Sequence, residues 1–361
     1  METRQKRLDR FTALKALCCL SVISFHCYVL FNVVYIGIAV FFLTSGFLLT
    51  YNYYDKNTLD DVDLALCVRF SWNKIKKLYP LHLLTLLFFL AEQFYALFTG
   101  LARPGLNFFS PILANILLIQ SWFPKERFYY SLNGPTWYLS VSVFLYLMFP
   151  LILKAVKKLK SVSQAVWLSA AIFAVQIVFT KIGFELLPGK EERQWVRYIF
   201  PPLRLGTFAI GCNLGYIYLK MQDKKFDTVK ATLFEVLTIL AAVLTIYDRE
   251  LPDWLPKYGP IFNYSLKFML PAVMTVIAFA FGDGLIVKFL TNKPLLYLGR
   301  LSPYMYLIHY PLVSIAALLV TRMSSSPQVQ RAVYLVFIAV FTVGLSEAYS
   351  RVQKRAKKRG S

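Results

Sequence analysis

Apolar residues run in long blocks along this chain, separated by short stretches in which basic residues gather. Ten blocks approach the ~20 residues needed to cross the hydrocarbon core of a bilayer. They lie at roughly 12–34, 35–54, 78–100, 135–158, 164–187, 200–219, 230–247, 264–287, 301–321 and 331–350. An eleventh, 107–123, is shorter and is interrupted by Pro111, Asn115 and Gln120. It reads as interfacial or re-entrant. The pattern predicts an all-α, polytopic membrane helix bundle of about ten transmembrane helices plus one short re-entrant or interfacial helix.

The polar stretches orient that bundle. Both ends are basic, METRQKRLDR at the start and RVQKRAKKRGS at the end. Cytoplasmic loops carry an excess of Lys and Arg, so two cytoplasmic ends require an even number of spans. Ten spans put most of the 40 Lys and Arg on the cytoplasmic side. Counting 107–123 as a further span would place KAVKKLK outside. The expectation is a multi-pass protein of the plasma or inner membrane with both termini cytoplasmic and a basic tail over 351–361. No long hydrophilic domain, low-complexity linker or internal repeat interrupts the chain. Residues 1–361 therefore read as one transmembrane domain.

Composition agrees. Of 361 residues, 57% are hydrophobic and 16% charged, and the mean hydropathy is +0.53. Soluble domains hold about 25% charged residues. A soluble two-domain protein, a disordered chain and a disulfide-stapled module are all excluded. The net charge of +21 is a footprint of topology, because no nucleic-acid motif accompanies it. The five cysteines, Cys18, Cys19, Cys27, Cys67 and Cys212, include no CxxC pair and no metal-ligand spacing, so neither a metal site nor a disulfide framework is expected. The basic start followed by an apolar run superficially resembles a signal peptide. It contains Lys15 and His26 and lacks a small-residue cleavage site, and it reads as a retained first span.

Ionisable groups inside spans are costly and point to function. Lys15 and His26 are eleven residues apart, three helical turns, so they share a face about 16 Å apart along the axis. Histidine is the side chain best suited to accept and return a proton near neutral pH. The bland alternative is that Lys15 snorkels to lipid phosphate while His26 bonds between helices. In FSWNKIKKLYP, Phe70, Lys74 and Lys77 are spaced as one helical stripe. Two lysines there suit a phosphate or ordinary membrane anchoring. NGPTWYLS spaces Asn133, Trp137 and Ser140 the same way, and LGRLSPYMYLIHYP does so with Ser302, Tyr306 and His309. Arg204 lies several residues inside a span and needs a partner or an aqueous cavity. Ser45–Gly46 and the pair Gly211/Gly215 read as close helix packing, and His82 as structural.

These segments, in this order, resemble the integral-membrane acyltransferase 3 family, which includes envelope polysaccharide O-acetyltransferases. The resemblance runs through Lys15 and His26, GIAVFFLTSGF, FxxxKxxKLYP, NGPTWYLS with FLYLMFP, RLGTFAIG and LGRLSPYMYLIHYP. It implies a membrane-bound O-acyltransferase that moves an acyl group, acetyl first, from acyl-CoA to a hydroxyl of a carbohydrate or glycolipid. No permanently bound cofactor is implied. His26 matches the family's essential histidine, and Lys15 stands where an arginine is usual. Lys74 and Lys77 would join Lys15 on the donor's phosphates. Asn133, Trp137, Ser140 and Arg204 would shape the acceptor site, and Tyr306 and His309 would donate to a developing oxyanion. Ala39 and Ser142 stand where the family often has acids. Two rival classes remain: a transporter or flippase of a lipid-linked sugar, and an inactive family relative.

Overall fold

The computed structural model describes residues 4–29, 33–59, 61–100, 106–224, 226–247 and 266–359, and all regular structure among them is helical. The helices are α1 (Arg4–His26), α2 (Val33–Tyr53), α3 (Leu64–Ile75), α4 (Tyr79–Phe98), α5 (Leu106–Ile116), α6 (Glu126–Tyr129) and α7 (Trp137–Lys157). They continue as α8 (Val162–Leu186), α9 (Lys190–Tyr198), α10 (Pro201–Met221), α11 (Thr228–Tyr247), α12 (Met269–Phe281), α13 (Leu285–Leu290), α14 (Lys293–Val320) and α15 (Pro327–Arg359). Each apolar block contains a helix. Six helices, α2, α7, α8, α11, α14 and α15, are long and apolar enough to cross a membrane, and a seventh span results if α3 and α4, bent by 63°, are counted as one. The chain is thus a helical membrane protein. α1 and α10 match these in length but are richer in polar residues. α12, with 13 residues, is shorter than the 264–287 block, whose first residues lie outside the described ones.

Three local expectations change. The first block does not run on to residue 34 as one helix, because α1 stops at His26. Val29 N–H donates to Ser24 O and Tyr28 N–H to Phe25 O, the paired bonds of a Schellman closure, with Tyr28 at φ 56°. That position is usually glycine, so the apolar run hid the stop. Second, α3 ends at Ile75, and Lys76–Leu78 form the bend into α4, where Pro80 lies in the first turn. Lys77 therefore leaves the stripe it was expected to share with Phe70 and Lys74. Third, Asn133 precedes a 3-10 turn over Gly134–Thr136, and α7 begins only at Trp137, so Asn133 is not on that helix. The 107–123 segment is short, as expected: α5 ends at Ile116 and a 3-10 turn follows over Gln120–Trp122.

α2 sits at the centre, packed on α1, α10 and α12. Its seam with α10 is set by glycines on both sides. A Cβ on Gly46 would lie 2.2 Å from Phe208 O, and one on Gly211 would lie 2.2 Å from Leu43 O. Backbone meets backbone at both points, as small residues permit in membrane helices. α1 packs against α14, with Thr12 O under Gly299, and α14 packs against α15, where Tyr304 Oη donates to Gln353 Oε1 at 2.9 Å. The start of α1, the end of α2, the start of α14 and the end of α15 consequently lie at one end of the bundle. His26 lies at the other.

Candidate active site

At that other end a cavity of about 290 Å³ is lined by residues of α1, α2, α9, α14 and the 130–137 segment, among them His26, Tyr35, Trp137, Gln194, Tyr198, Tyr306 and Tyr310. The α1 closure explains why the imidazole reaches it: the helix ends at His26 and the chain turns away. The His26 ring is half-buried. Its centroid is 5.3 Å from that of His309, 5.0 Å from Tyr310 and 5.1 Å from Phe25. The two histidines are 283 positions apart in the chain and meet because α1 packs along α14. His309 is fully buried. Its Nδ1 donates to Met305 O at 3.2 Å, which leaves Nε2 with a lone pair, and Nε2 has no partner among the described residues.

The opposite wall is aromatic. Tyr198 lies 5.0 Å from Trp137 and 5.5 Å from Tyr35, centroid to centroid. Tyr198 comes from α9, a short amphipathic helix tied across the 120–130 segment. Trp195 Nε1 donates to Ser121 O at 2.8 Å, Tyr129 Oη donates to Glu191 O at 3.1 Å, and Lys125 pairs with Glu192. The Lys125 ammonium holds the Glu192 carboxyl below the usual carboxylate range.

Several expected site residues stand behind this wall instead of in it. Arg204 is buried, and its guanidinium donates to Tyr198 O through Nε at 2.7 Å and through a second nitrogen. It fixes Tyr198, which answers the demand for a partner. Asn133 Nδ2 donates to Thr85 Oγ1 and Leu307 O, both at 3.0 Å, tying the turn to α4 and α14. Ser140 Oγ accepts from Ser121 N–H at 3.3 Å. Asn115 and Gln120, which made 107–123 look unlike a span, face this network: Asn115 Nδ2 donates to Ser131 Oγ at 2.7 Å and Gln120 Nε2 to Thr136 O at 3.2 Å. His82 joins it by hydrogen-bonding to Asn115 O at 2.9 Å. Ala39 and Ser142 are buried and line none of the His26 cavity.

Tyr306 does line the cavity, but its one proton goes to Pro135 O at 2.8 Å. Tyr306 thus has no free proton to give an oxyanion, and the Nδ1 proton of His309 is already engaged. Trp137 and Tyr310 line the cavity, and neither the Trp137 indole N–H nor the Tyr310 hydroxyl is bonded to a described residue. Tyr35, Tyr130, Gln194, Tyr198 and Tyr310 are cavity residues that the sequence reading passed over. Tyr310, adjacent to His309, had the clearest local signal.

The basic groups lie toward the far end. Lys15 is half-buried on α1 and bonds to no described residue. Lys74 Nζ donates to Tyr53 Oη at 3.0 Å at the end of α2. Eighteen residues separate Tyr53 from Tyr35 on this helix, about 27 Å. Lys77 is exposed, and its carbonyl accepts from Gln353 Nε2 at 2.7 Å. The lysines sit on elements with different packing partners, α1 on α2 and α14, α3 on α7. Among the described residues no group of three or more His, Cys, Asp or Glu is placed to hold a metal ion.

A half-buried histidine on the wall of an aromatic cavity, in a helical membrane bundle, is an arrangement suited to proton transfer. The sequence profile described as "Acyltransferase domain" matches residues 8–351, nearly the whole chain, and the protein belongs to that family. It is 28% identical to acyltransferase MdmB of Streptomyces mycarofaciens over 293 residues, 77% of this chain and 68% of that one. It is 24% identical to O-acetyltransferase OatA of Staphylococcus aureus over 353 residues, 90% of this chain and 53% of that one. A regulator of hypoxia-inducible factor 1 from Caenorhabditis elegans is 22% identical over 259 residues, 64% of this chain and 50% of that one. The chain thus spans about half the length of the latter two relatives. No solved structure matches it.

Proposed function

We propose that this protein transfers an acyl group, acetyl first, from acyl-CoA to a hydroxyl of a cell-envelope or exported glycan, with His26 as the general base. The observation that carries this reading is the position of His26, on the wall of an aromatic cavity and about 16 Å along α1 from Lys15. A donor with a charged tail and a reactive thioester has that shape. Its phosphates would meet Lys15, Lys74 and Lys77, and its thioester would approach the imidazole along α1.

In the proposed step, the imidazole takes the proton of the acceptor hydroxyl as its oxygen attacks the thioester carbonyl. The tetrahedral oxyanion forms near the Trp137 N–H and the Tyr310 O–H, groups able to donate to it. Collapse expels the thiolate, which takes the proton from the imidazolium, so the enzyme ends as it began. Flat aromatic walls at Trp137 and Tyr198 suit the apolar face of a sugar ring. His309 acts through His26 by packing: its ring lies 5.3 Å from the imidazole, centroid to centroid, and holds it in the orientation that faces the cavity.

Two results test these roles. Lys15→Ala is expected to raise the donor KM about tenfold, the worth of one hydrogen bond to a charged group, with the acceptor KM unchanged. Equal loss for both substrates would make Lys15 an anchor only. His309→Asn, which keeps a donor for Met305 O, is expected to lower kcat by up to about 100-fold with both KM values held. His309→Gln, whose side chain reaches the Nε2 position, should recover part of it. A uniform loss that tracks thermal stability would leave His309 a packing role. The reaction itself is read by mass spectrometry of envelope glycans from cells with and without the protein. A difference of one acyl unit identifies group and acceptor, and identical spectra reject the assignment.

A further inference from the structure

On the far side of the α1–α2 pair from His26 lie two apolar cavities that share no residue with the site above. One, of about 820 Å³, lies between α8, α10, α11 and α12. The other, of about 320 Å³, lies between α1, α2, α11 and α12. The larger is walled by side chains such as Leu214, Ile217, Phe234, Val273 and Ile277, and the smaller by side chains such as Ile239. One polar side chain borders both: Glu235, on α11, seven residues into an apolar helix and 3% exposed. Its Oε2 accepts from Ile286 N–H at 2.9 Å, while its Oε1 is buried with no partner among the described residues.

Capping the short α13 explains one oxygen and not the other. Thr232 Oγ1 already takes the neighbouring amide, Leu285 N–H, at 3.0 Å. An unmet carboxyl oxygen among apolar walls is costly, and such a group inside a span is expected to have a partner. α8 and α11, which flank the larger cavity, have only 11% of their apolar windows buried, the exposure expected of helices that face lipid.

We propose that this cleft holds a long-chain lipid bearing a free hydroxyl, its chain along the apolar walls and its O–H donated to Glu235 Oε1. The chemistry selects that head. A phosphate would face two carboxyl groups in the larger cavity, Glu235 and Asp283, against one cation, Lys230. An ammonium loses far more than a hydroxyl on leaving water for an apolar site. A hydroxyl can both donate and accept, so it pairs with the carboxyl in either protonation state. Each cavity falls in the range of ligand pockets, about 300–1,000 Å³. The occupant lies against the back of the pair of helices that carries His26, apart from the acyl-transfer cavity, so this inference is independent of the catalytic reading.

The test uses the full-length protein in nanodiscs with a diazirine-bearing hexadecanol, and hexadecylamine and hexadecyl phosphate carrying the same diazirine. The alcohol is expected to give saturable adducts on α11 and α12 peptides, competed by plain hexadecanol, at least tenfold above the phosphate and above the amine. Glu235→Ala should remove the preference for the alcohol. Val273→Trp keeps the α13 cap and fills the cleft, and it should abolish the adducts even if Glu235→Ala fails to fold. Equal labelling by the three heads overturns the proposal. So do adducts spread over the outward faces of α8 and α15 that Val273→Trp leaves unchanged.

Discussion

His26→Ala is expected to lower acyl transfer by about 10²–10⁴-fold, the contribution of a positioned general base, while the protein still inserts and folds. Folding should survive because the α1 closure is made by backbone groups of Ser24, Phe25, Tyr28 and Val29, not by the imidazole. The half-buried ring contributes contacts to Phe25, His309 and Tyr310, but it accepts or donates no hydrogen bond that another helix depends on. Turnover in purified, size-exclusion-checked protein is the measurement. A variant that matched the wild type would remove His26 from the chemistry, whatever else the cavity binds. His26→Gln, closer in size and polarity, should be as inactive, since an amide cannot take up a proton near neutral pH.

Gly211→Leu is expected to eliminate folded protein. The Cβ alone would lie 2.2 Å from Leu43 O and 2.8 Å from the Leu43 carbonyl carbon and Cα. Those are backbone atoms of the central helix, so no rotamer change relieves the clash and α2 and α10 must part. The cost should meet or exceed the ~3 kcal/mol upper end of ordinary overpacking, against total stabilities of about 5–15 kcal/mol. Gly344→Leu is the control. Gly344 lies on exposed α15 surface with nothing within 4 Å of its Cβ position. Detergent-solubilised yield and the size-exclusion profile should be those of the wild type for Gly344→Leu and should collapse for Gly211→Leu. A folded Gly211→Leu variant would mean that the seam is not as tight as described.

The helical blocks and the glycine seam were legible in the sequence because hydropathy and small-residue spacing are local signals. Lys15 and His26 were legible as costly groups in an apolar run, and Arg204 as one that needed a partner. What escaped was set by contacts distant in sequence. No spacing rule links His26 to His309, and their pairing follows from how α1 lies along α14. Asn133 looked like part of a helical stripe, yet the Gly-Pro that follows it makes a 3-10 turn, which sends its amide into the core. The end of α1 was masked because Tyr28 adopts the left-handed conformation that glycine usually signals, within a stretch that stays apolar on both sides. α9 escaped for a different reason: it is too short and too charged to register in hydropathy, although it supplies Tyr198 and Gln194 to the cavity.

The neighbouring positions of the start of α1 and the end of α15 have a practical consequence for determining orientation. Thr12 touches Gly299 at the head of α14, and Tyr304, one turn and a half further along α14, bonds Gln353 near the end of α15. The start of α1 and the end of α15 therefore share one end of the bundle, and a sidedness reporter fused to either is expected to give the same answer.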